Sequence, residues 1–366
     1  MTLPQASTLD CYLNFRNGKT SPERDDSGDY PVFGSNGRIG RSFETNAEGP
    51  MVVIGRVGSY CGSLSYSQGS AWVTDNAIVC TPKAGRDARY WYFALGTLDL
   101  NGRSSGSGQP LLNQKVLGSI LFTPPNADQR LAIAEVLGTL DDKIAANTDL
   151  AQVADEWVRT SLDALLFGAA ERKPIAEVVS NRRDQVSPGL LAAETLYVGL
   201  EHVPRRSMWL AEVGSAGDVT SPKNRFEHGD LLFGKLRPYF HKVVAAPHGG
   251  VCSTDVLVLS PIHRELDGFA LAAVSSDAVV RDVTSASEGT RMPRTSWKDL
   301  GSVEVPWPGL TAARRFSAEV SAVRDAVQSH LRENRTLAAT RDALLPQLMS
   351  GKLRVKDAEK VLEGVL

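Results

Sequence analysis

The strongest constraint in this sequence is an internal duplication. VIGRVGSYCGSLSYS (53–67), WVTDNAIVC (72–80) and SSGSGQPLLNQKVLGSILFTPP (104–125) are answered, in the same order, by LLFGKLRPYFHKVV (231–244), VCSTDVLVLS (251–260) and SASEGTRMPRTSWKDLGSVEVPWP (285–308). Matched residues keep a nearly constant separation: Gly55 and Gly234 differ by 179, Asp75 and Asp255 by 180, Gly118 and Gly301 by 183. Internal repeats set the architecture before any local reading. This one predicts one plan, a lobe followed by a long helix, used twice. The string Asp-Ala-Leu-Leu closes both helical segments, at 163–166 and 342–345.

A chain of 366 residues exceeds one ordinary domain, so it has room for two such lobes. They are expected over residues 1–125 and 169–310. MVVIG, NAIVC, LGSILF and VLVLS are short β-type runs bounded by turn formers, and FALAAVSSDAVV suggests a helix among them. The expected fold class is α+β, with two globular lobes joined by two long antiparallel helices as a coiled-coil spacer.

The first helix is expected over 126–168, after Pro124 and Pro125, with Asn126 as cap and Gln129 reaching back. Seven-residue spacing puts Leu137, Ile144, Ala151, Val158 and Leu165 on one seam, with Ile133, Leu140, Asn147, Ala154 and Ser161 beside it. Gly138 is expected to kink this helix, with Thr139 starting a second segment. The second helix is expected over 311–350. Its seam is Phe316, Val323, His330, Leu337 and Leu344, joined by Val320, Val327, Asn334, Arg341 and Leu348; Pro346 bends or ends it and Gly351 stops it. Residues 351–366 remain as a C-terminal tail. Polar Asn147 and Asn334 within apolar seams would fix register at some cost in stability. Residues 126–167 hold three Lys/Arg against eight Asp/Glu, and residues 311–345 hold six against four, which favours pairing of the two helices with each other. Helices of about 35–40 residues would be about 50–60 Å long. Paired antiparallel, they would hold the lobes apart like the jaws of a calliper.

Ordinary composition, with 42% apolar and 22% charged residues and a net charge of −2, speaks against disorder and against a strongly basic chain. Cys11, Cys61, Cys80 and Cys252 have neither zinc-site spacing nor the pattern of a disulfide frame. The N-terminal residues lack a signal-peptide layout, and no apolar run reaches membrane-spanning length. A soluble cytoplasmic protein is expected.

Catalytic signatures are missing. Asn17-Gly18-Lys19-Thr20 ends like a phosphate-binding loop, but Leu13 stands where the first glycine is needed. No G-x-G-x-x-G opens a helix. Thr123-Pro124-Pro125-Asn126 has the wrong order for an amino-methyltransferase motif, and the carboxylates of Leu140-Asp141-Asp142-Lys143 sit on a solvated helix face. The six histidines show no metal-ligand spacing. The chain is therefore expected to be non-catalytic, with no metal and no bound cofactor.

DNA binding needs Lys/Arg for phosphates and paired donors or acceptors for base edges. GKLRPYFHK (234–242) offers Lys235, Arg237, Tyr239, His241 and Lys242, with alternation placing Lys235, Arg237 and Tyr239 on one face. An ordinary exposed strand edge guarded by lysine explains the same stretch equally well. The first-lobe counterpart offers Arg56, Ser59 and Tyr60. The equivalent loops RSSGSGQP (103–110) and EGTRMPR (288–294) add Arg103, Ser105, Gln109, Arg291 and Arg294, and Lys19 and Arg38 complete the set. The lobes themselves are near neutral, with eleven basic against ten acidic residues in the first and sixteen against seventeen in the second. Basic side chains must then cluster on one face, or partners must supply much of the phosphate grip.

GDYPVFGSNGRIG (28–40), VIGRVGSYCG (53–62), GSGQPLLN (106–113), PPNADQRLAIAEVLGTLDDKI (124–144) and ENRTLAATRDALLPQLMSGKLRV (333–355), in this order, resemble the specificity subunit of type I restriction–modification systems. The resemblance implies two target-recognition domains joined by paired spacer helices, binding a bipartite site on double-stranded DNA. It further implies docking of two methyltransferase subunits, which would bind S-adenosylmethionine and methylate adenine, and of restriction or translocase subunits in a larger complex. Three other readings stand beside it: a specificity factor of a related phage-defence complex, a self-contained modification enzyme, and a coiled-coil scaffold without DNA readout.

Overall fold

The computed structural model describes residues 6–104, 110–287 and 292–365. It mixes helix and sheet and divides into two units, Met1–Lys143 with Thr336–Leu366, and Ile144–Arg335.

The first unit is built on an antiparallel sheet whose strands run in the order Leu13–Asn17, Ala77–Pro82, Met51–Gly55, Leu64–Ser67. Met51–Gly55 is buried throughout, as a continuous apolar run between two neighbouring strands should be. A second sheet orders Gly37–Ser42, Tyr30–Gly34 and Trp72–Val73, the last two parallel. Val53, Val79, Phe33 and Val73 share one core cluster. Helix α1 (Ala88–Gly96) buries Tyr90 and Trp91. Helix α2 (Gln114–Gly118) is capped by Asn113, whose side chain accepts from the Val116 amide at 2.9 Å. The run LGSILF is thus only partly strand: Leu117 and Gly118 end α2, and Leu121–Phe122 pairs with Ser7–Thr8. Helix α3 (Ala127–Leu166) follows.

The second unit repeats the strand order. Val179–Arg182, Val256–Pro261, Leu231–Gly234 and Val243–Ala245 form its antiparallel sheet. Its second sheet contains a parallel pair, Leu196–Val198 with Gly250–Cys252, matching the parallel pair of the first unit. Register fixes the equivalence residue by residue. Gly55 faces Ala77 and Gly234 faces Val256, so Asp255 corresponds to Asn76, one position from the Asp75 pairing expected from sequence. FALAAVSSDAVV divides into two helices, α4 (Asp267–Val274) and α5 (Asp277–Ala286), where the Ser276 side chain caps the second. Helix α6 (Trp297–Ser302) carries a full capping box, Ser296 with Asp299. The strand Glu304–Pro306 pairs with Arg172–Pro174 before helix α7 (Leu310–Met349) begins. Helix α8 (Val355–Glu363) closes the chain.

Helices α3 and α7 are 40 residues each. Their first and last residues both differ by 183, so the two Asp-Ala-Leu-Leu strings are not equivalent. Asp163–Leu166 ends α3, whereas residues 342–345 stop four short of the end of α7. Four residues is about one turn, so the echo keeps the helix face while shifting position. Asn126 does cap α3, accepting from the Gln129 amide at 2.9 Å. Helix α3 runs unbroken through Gly138. A Cβ there would come within 2.7 Å of the Arg89 guanidinium, which donates to the Gly138 carbonyl at 3.0 Å and clasps Asp142. The glycine makes room for an arginine rather than a kink. Pro346 lies inside α7, in the last turn, where its missing amide removes one bond near an end that already lacks partners. Gly351, at φ 71°, follows as the stop.

Within each unit the helices run antiparallel. In the first, Arg341 meets Asp141 at 2.6 Å, and Leu137, Leu140, Leu344 and Leu348 are buried. In the second, Asn147 meets Asn334 at 2.8 Å, while Leu165 shares a groove with Phe316. Ala151, Val158, Phe316, Val320 and Val327 are buried in one cluster, against which Leu165 and Val323 pack. Leu337 is buried, and Ile144 and Asn334 are half-buried. That cluster also holds Trp209, Leu259 and Phe269, so the seam of the second unit packs on its own sheet as well as on the other helix. The Trp209 indole donates to the Ala151 carbonyl at 2.9 Å.

Candidate nucleic-acid interface

In both units the chain leaves the central strand into a tight turn that is stitched to a distant loop. In the first, the Leu112 amide donates to the Arg56 carbonyl at 2.9 Å and the Gly58 amide to the Pro110 carbonyl at 3.1 Å. In the second, the Thr295 amide donates to the Lys235 carbonyl at 3.0 Å and the Arg237 amide to the Pro293 carbonyl at 2.8 Å. The turns, Gly58–Tyr60 and Pro238–Phe240, are short 3-10 helices. They carry Tyr60 and Tyr239 at equivalent places, 52% and 51% exposed. Gly55 is needed just before the first turn, because a Cβ would lie 2.4 Å from the carbonyls of Ser35 and Tyr60.

The basic candidates of the first unit are placed around this turn and elsewhere on its surface. Lys19, Arg38, Ser59 and Arg103 are exposed. Arg56 is half-buried and donates to the Asp75 carbonyl at 3.1 Å. Ser105, Gln109 and Arg291 lie outside the described residues. In the second unit Lys235 lines a cleft of about 580 Å³ with Asn181, Arg183, Gln185 and Asn224. These amides and guanidiniums can offer paired hydrogen bonds to base edges. Sequence reasoning missed them, although the doublet in Asn181-Arg182-Arg183-Asp184-Gln185 was a visible signal. Arg294 is exposed and pairs with Asp255 at 3.0 Å. Arg205, from another missed doublet, lies with its guanidinium 3.9 Å from the centre of the Phe240 ring, and Arg237 lies over the same ring at 5.8 Å.

Two expected contacts turn inward. His241 is buried: its Nε2 is 2.8 Å from the Ser275 carbonyl and its Nδ1 3.4 Å from Asp277. Burial holds its pKa below the usual 6.5, so the ring is kept neutral. Lys242 donates to the Leu200 carbonyl; burial, then the neighbouring Arg205 charge, lowers its pKa. The alternation expected over 234–242 also fails. The strand ends at Gly234, and Arg237 and His241 adopt left-handed backbone on either side of the 3-10 turn. Lys235, Arg237 and Tyr239 therefore do not share a strand face.

Buried thiols show no sign of activation. Burial alone raises the Cys80 thiol, and it pushes Cys252 up to about 12. Among the described residues no group of three or more His, Cys, Asp or Glu could hold a metal ion. Among the same residues no helix is long and apolar enough to cross a membrane. The chemistry on view is charge and hydrogen bonding on two equivalent turns.

Residues 11–154 match the family model described as the type I restriction modification DNA specificity domain. That segment, the first lobe and the start of α3, is similar to the specificity domain. The specificity subunit of the type I restriction enzyme EcoprrI from Escherichia coli is 28% identical over 136 residues, 37% of this chain and 34% of that protein. The specificity subunit of EcoDI, also from Escherichia coli, is 33% identical over 93 residues, 25% of this chain and 20% of that one. The matches thus span about a third or less of these relatives. The fold likeness is broader: the crystal structure of a type I restriction–modification S subunit from M. genitalium aligns with a TM-score of 0.61 at 17% identity, covering 94% of this chain and 95% of that one. The family resemblance noted in the sequence stands. The strand order and turn geometry of the first unit recur in the second, beyond the matched residues.

Proposed function

We propose that this chain is the DNA-recognition subunit of a type I restriction–modification complex, reading a bipartite site on double-stranded DNA without catalysing any step itself. The observation that carries this reading is the recurrence, in both units, of one strand order and one stitched turn, with the first copy inside the segment that matches the specificity-domain model. Residues 1–125 and 169–310 would each read one half-site, and residues 126–168 and 311–350 would set the gap between them. The loops differ in side chains, with Arg56 in one unit and Lys235 in the other at the same backbone position, so the half-sites should differ too.

Two methyltransferase subunits, with S-adenosylmethionine bound to them rather than to this chain, would dock on the helices and methylate adenine in each half-site after flipping it from the stack. Restriction or translocase subunits would join a larger complex. The near-neutral lobes support a division of labour in which partners add phosphate contacts, so the isolated chain should bind DNA weakly and with strong salt dependence. The test is co-expression with the methyltransferase, followed by mapping of methylated adenines. A split, asymmetric motif is expected. Methylation at a contiguous or palindromic motif, or none at all, would overturn the reading.

A further inference from the structure

Among the described residues, the non-glycine residues with left-handed backbone are Arg206 (φ 54°), Arg237 (φ 52°) and His241 (φ 53°), all in the second unit. Side chains with a Cβ adopt this region at a cost, and such strain gathers at functional positions. Two of the three have bonds that account for them. The Arg206 amide donates to the His241 carbonyl at 2.8 Å and its guanidinium pairs with Asp277 at 3.1 Å, while the His241 ring is locked between Ser275 and Asp277.

Arg237 has the backbone bond, its amide donating to the Pro293 carbonyl at 2.8 Å, but no side-chain bond of this kind. At the equivalent place in the first unit the residue is Gly58, at φ 74°, making the same bond to the loop opposite. Glycine meets the demands of this turn without strain. An arginine there is further constrained by the following Pro238. Among the described residues the Arg237 guanidinium forms no ion pair or hydrogen bond. It lies over the Phe240 ring, which Arg205 also covers, next to the exposed Tyr239.

We propose that Arg237, with Arg205 beside it, clamps a DNA backbone phosphate in the second unit, and that the left-handed backbone at 237 is kept for the guanidinium and not for the fold. This rests on the DNA-reading function proposed above. A guanidinium can lie flat on an aromatic ring while its N–H fork faces a phosphate, so Phe240 would hold both arginines in position before DNA arrives. A phosphate contact adds affinity and salt dependence without reading sequence.

The test measures binding of the full chain to a mixed-sequence duplex of about 40 base pairs over a salt series, with thermal unfolding alongside. Arg237→Gly should bind about tenfold more weakly, with a log–log salt slope shallower by about 1, yet melt no lower than wild type. Arg237→Lys should keep the slope, since the charge remains. Wild-type affinity and slope in Arg237→Gly would overturn the proposal, as would a melting temperature several degrees lower, which would make Arg237 a folding residue. If wild type itself shows no salt-dependent binding, the DNA-reading function fails and this proposal falls with it.

Discussion

The Asn147 side-chain amide donates to the Asn334 Oδ1 at 2.8 Å, and to the Glu333 carboxylate at 2.9 Å, from a position only 4% exposed. The pair joins α3 to α7 where the apolar seam is interrupted. Such a pair fixes register more than it adds stability. Asn147→Leu should destabilise by about 2 kcal/mol, because half-buried Asn334 and Glu333 both lose the donor that Asn147 supplies. The double variant Asn147→Leu/Asn334→Leu should recover most of that loss. Thermal unfolding of both single variants and the double variant checks this; additive losses would show that the two amides do not act as a pair.

In the first unit, Arg130 pairs with Asp87, whose side chain is 4% exposed, and also donates to the Pro125 carbonyl at 2.9 Å. Removing one partner of a buried pair strands the other charge, so Asp87→Ala should cost about 3 kcal/mol. Asp142 pairs with Arg89 but is 69% exposed, and Asp142→Ala should cost about 1 kcal/mol or less. Chemical denaturation of the two variants distinguishes them. Equal losses would mean that burial does not set the value of these pairs.

Gly138→Ala sets two effects against each other. Alanine gains about 1 kcal/mol over glycine in a helix interior. Here its Cβ would meet the Arg89 guanidinium at 2.7 Å and push it from the Gly138 carbonyl. Net destabilisation by about 1 kcal/mol is expected, because the arginine must give up hydrogen bonds. A rise in melting temperature would show that Arg89 relocates freely.

Much of the fold was legible because it rests on short-range pattern. Met51–Gly55 and Val256–Pro261 are apolar runs with turn formers at their ends, and the helical seams follow a seven-residue spacing that burial requires. What escaped depends on backbone choices that side-chain type does not reveal. Nothing in Arg237-Pro238-Tyr239-Phe240-His241 announces left-handed residues at both ends, so a strand with alternating faces was the natural reading. His241 looked like a polar surface group because the partners that bury it, Ser275 and Asp277, are far away in sequence. The Asp-Ala-Leu-Leu echo misled by one turn, since a shift of four residues keeps the helix face and leaves the apolar pattern intact.

His241 also gives a pH signature. Its folded pKa lies below the usual 6.5, so below about pH 6.5 the unfolded chain binds a proton that the folded chain resists. Stability from this group is fully present above about pH 6.5 and is lost as pH falls toward the folded value. His241→Asn, which tolerates the left-handed backbone, should flatten the dependence between about pH 5 and 7. An unchanged slope of unfolding free energy against pH in that window would assign the dependence to other groups.

On the function proposed above, helices α3 and α7 would set the gap between two half-sites. The most direct test is to insert one heptad into α3 and the matching heptad into α7, then map methylated adenines made with the methyltransferase partner. Seven residues add about 10 Å, which is about three base pairs. Both half-sites should persist with a spacer longer by that amount. An unchanged spacer beside altered half-sites would contradict the account.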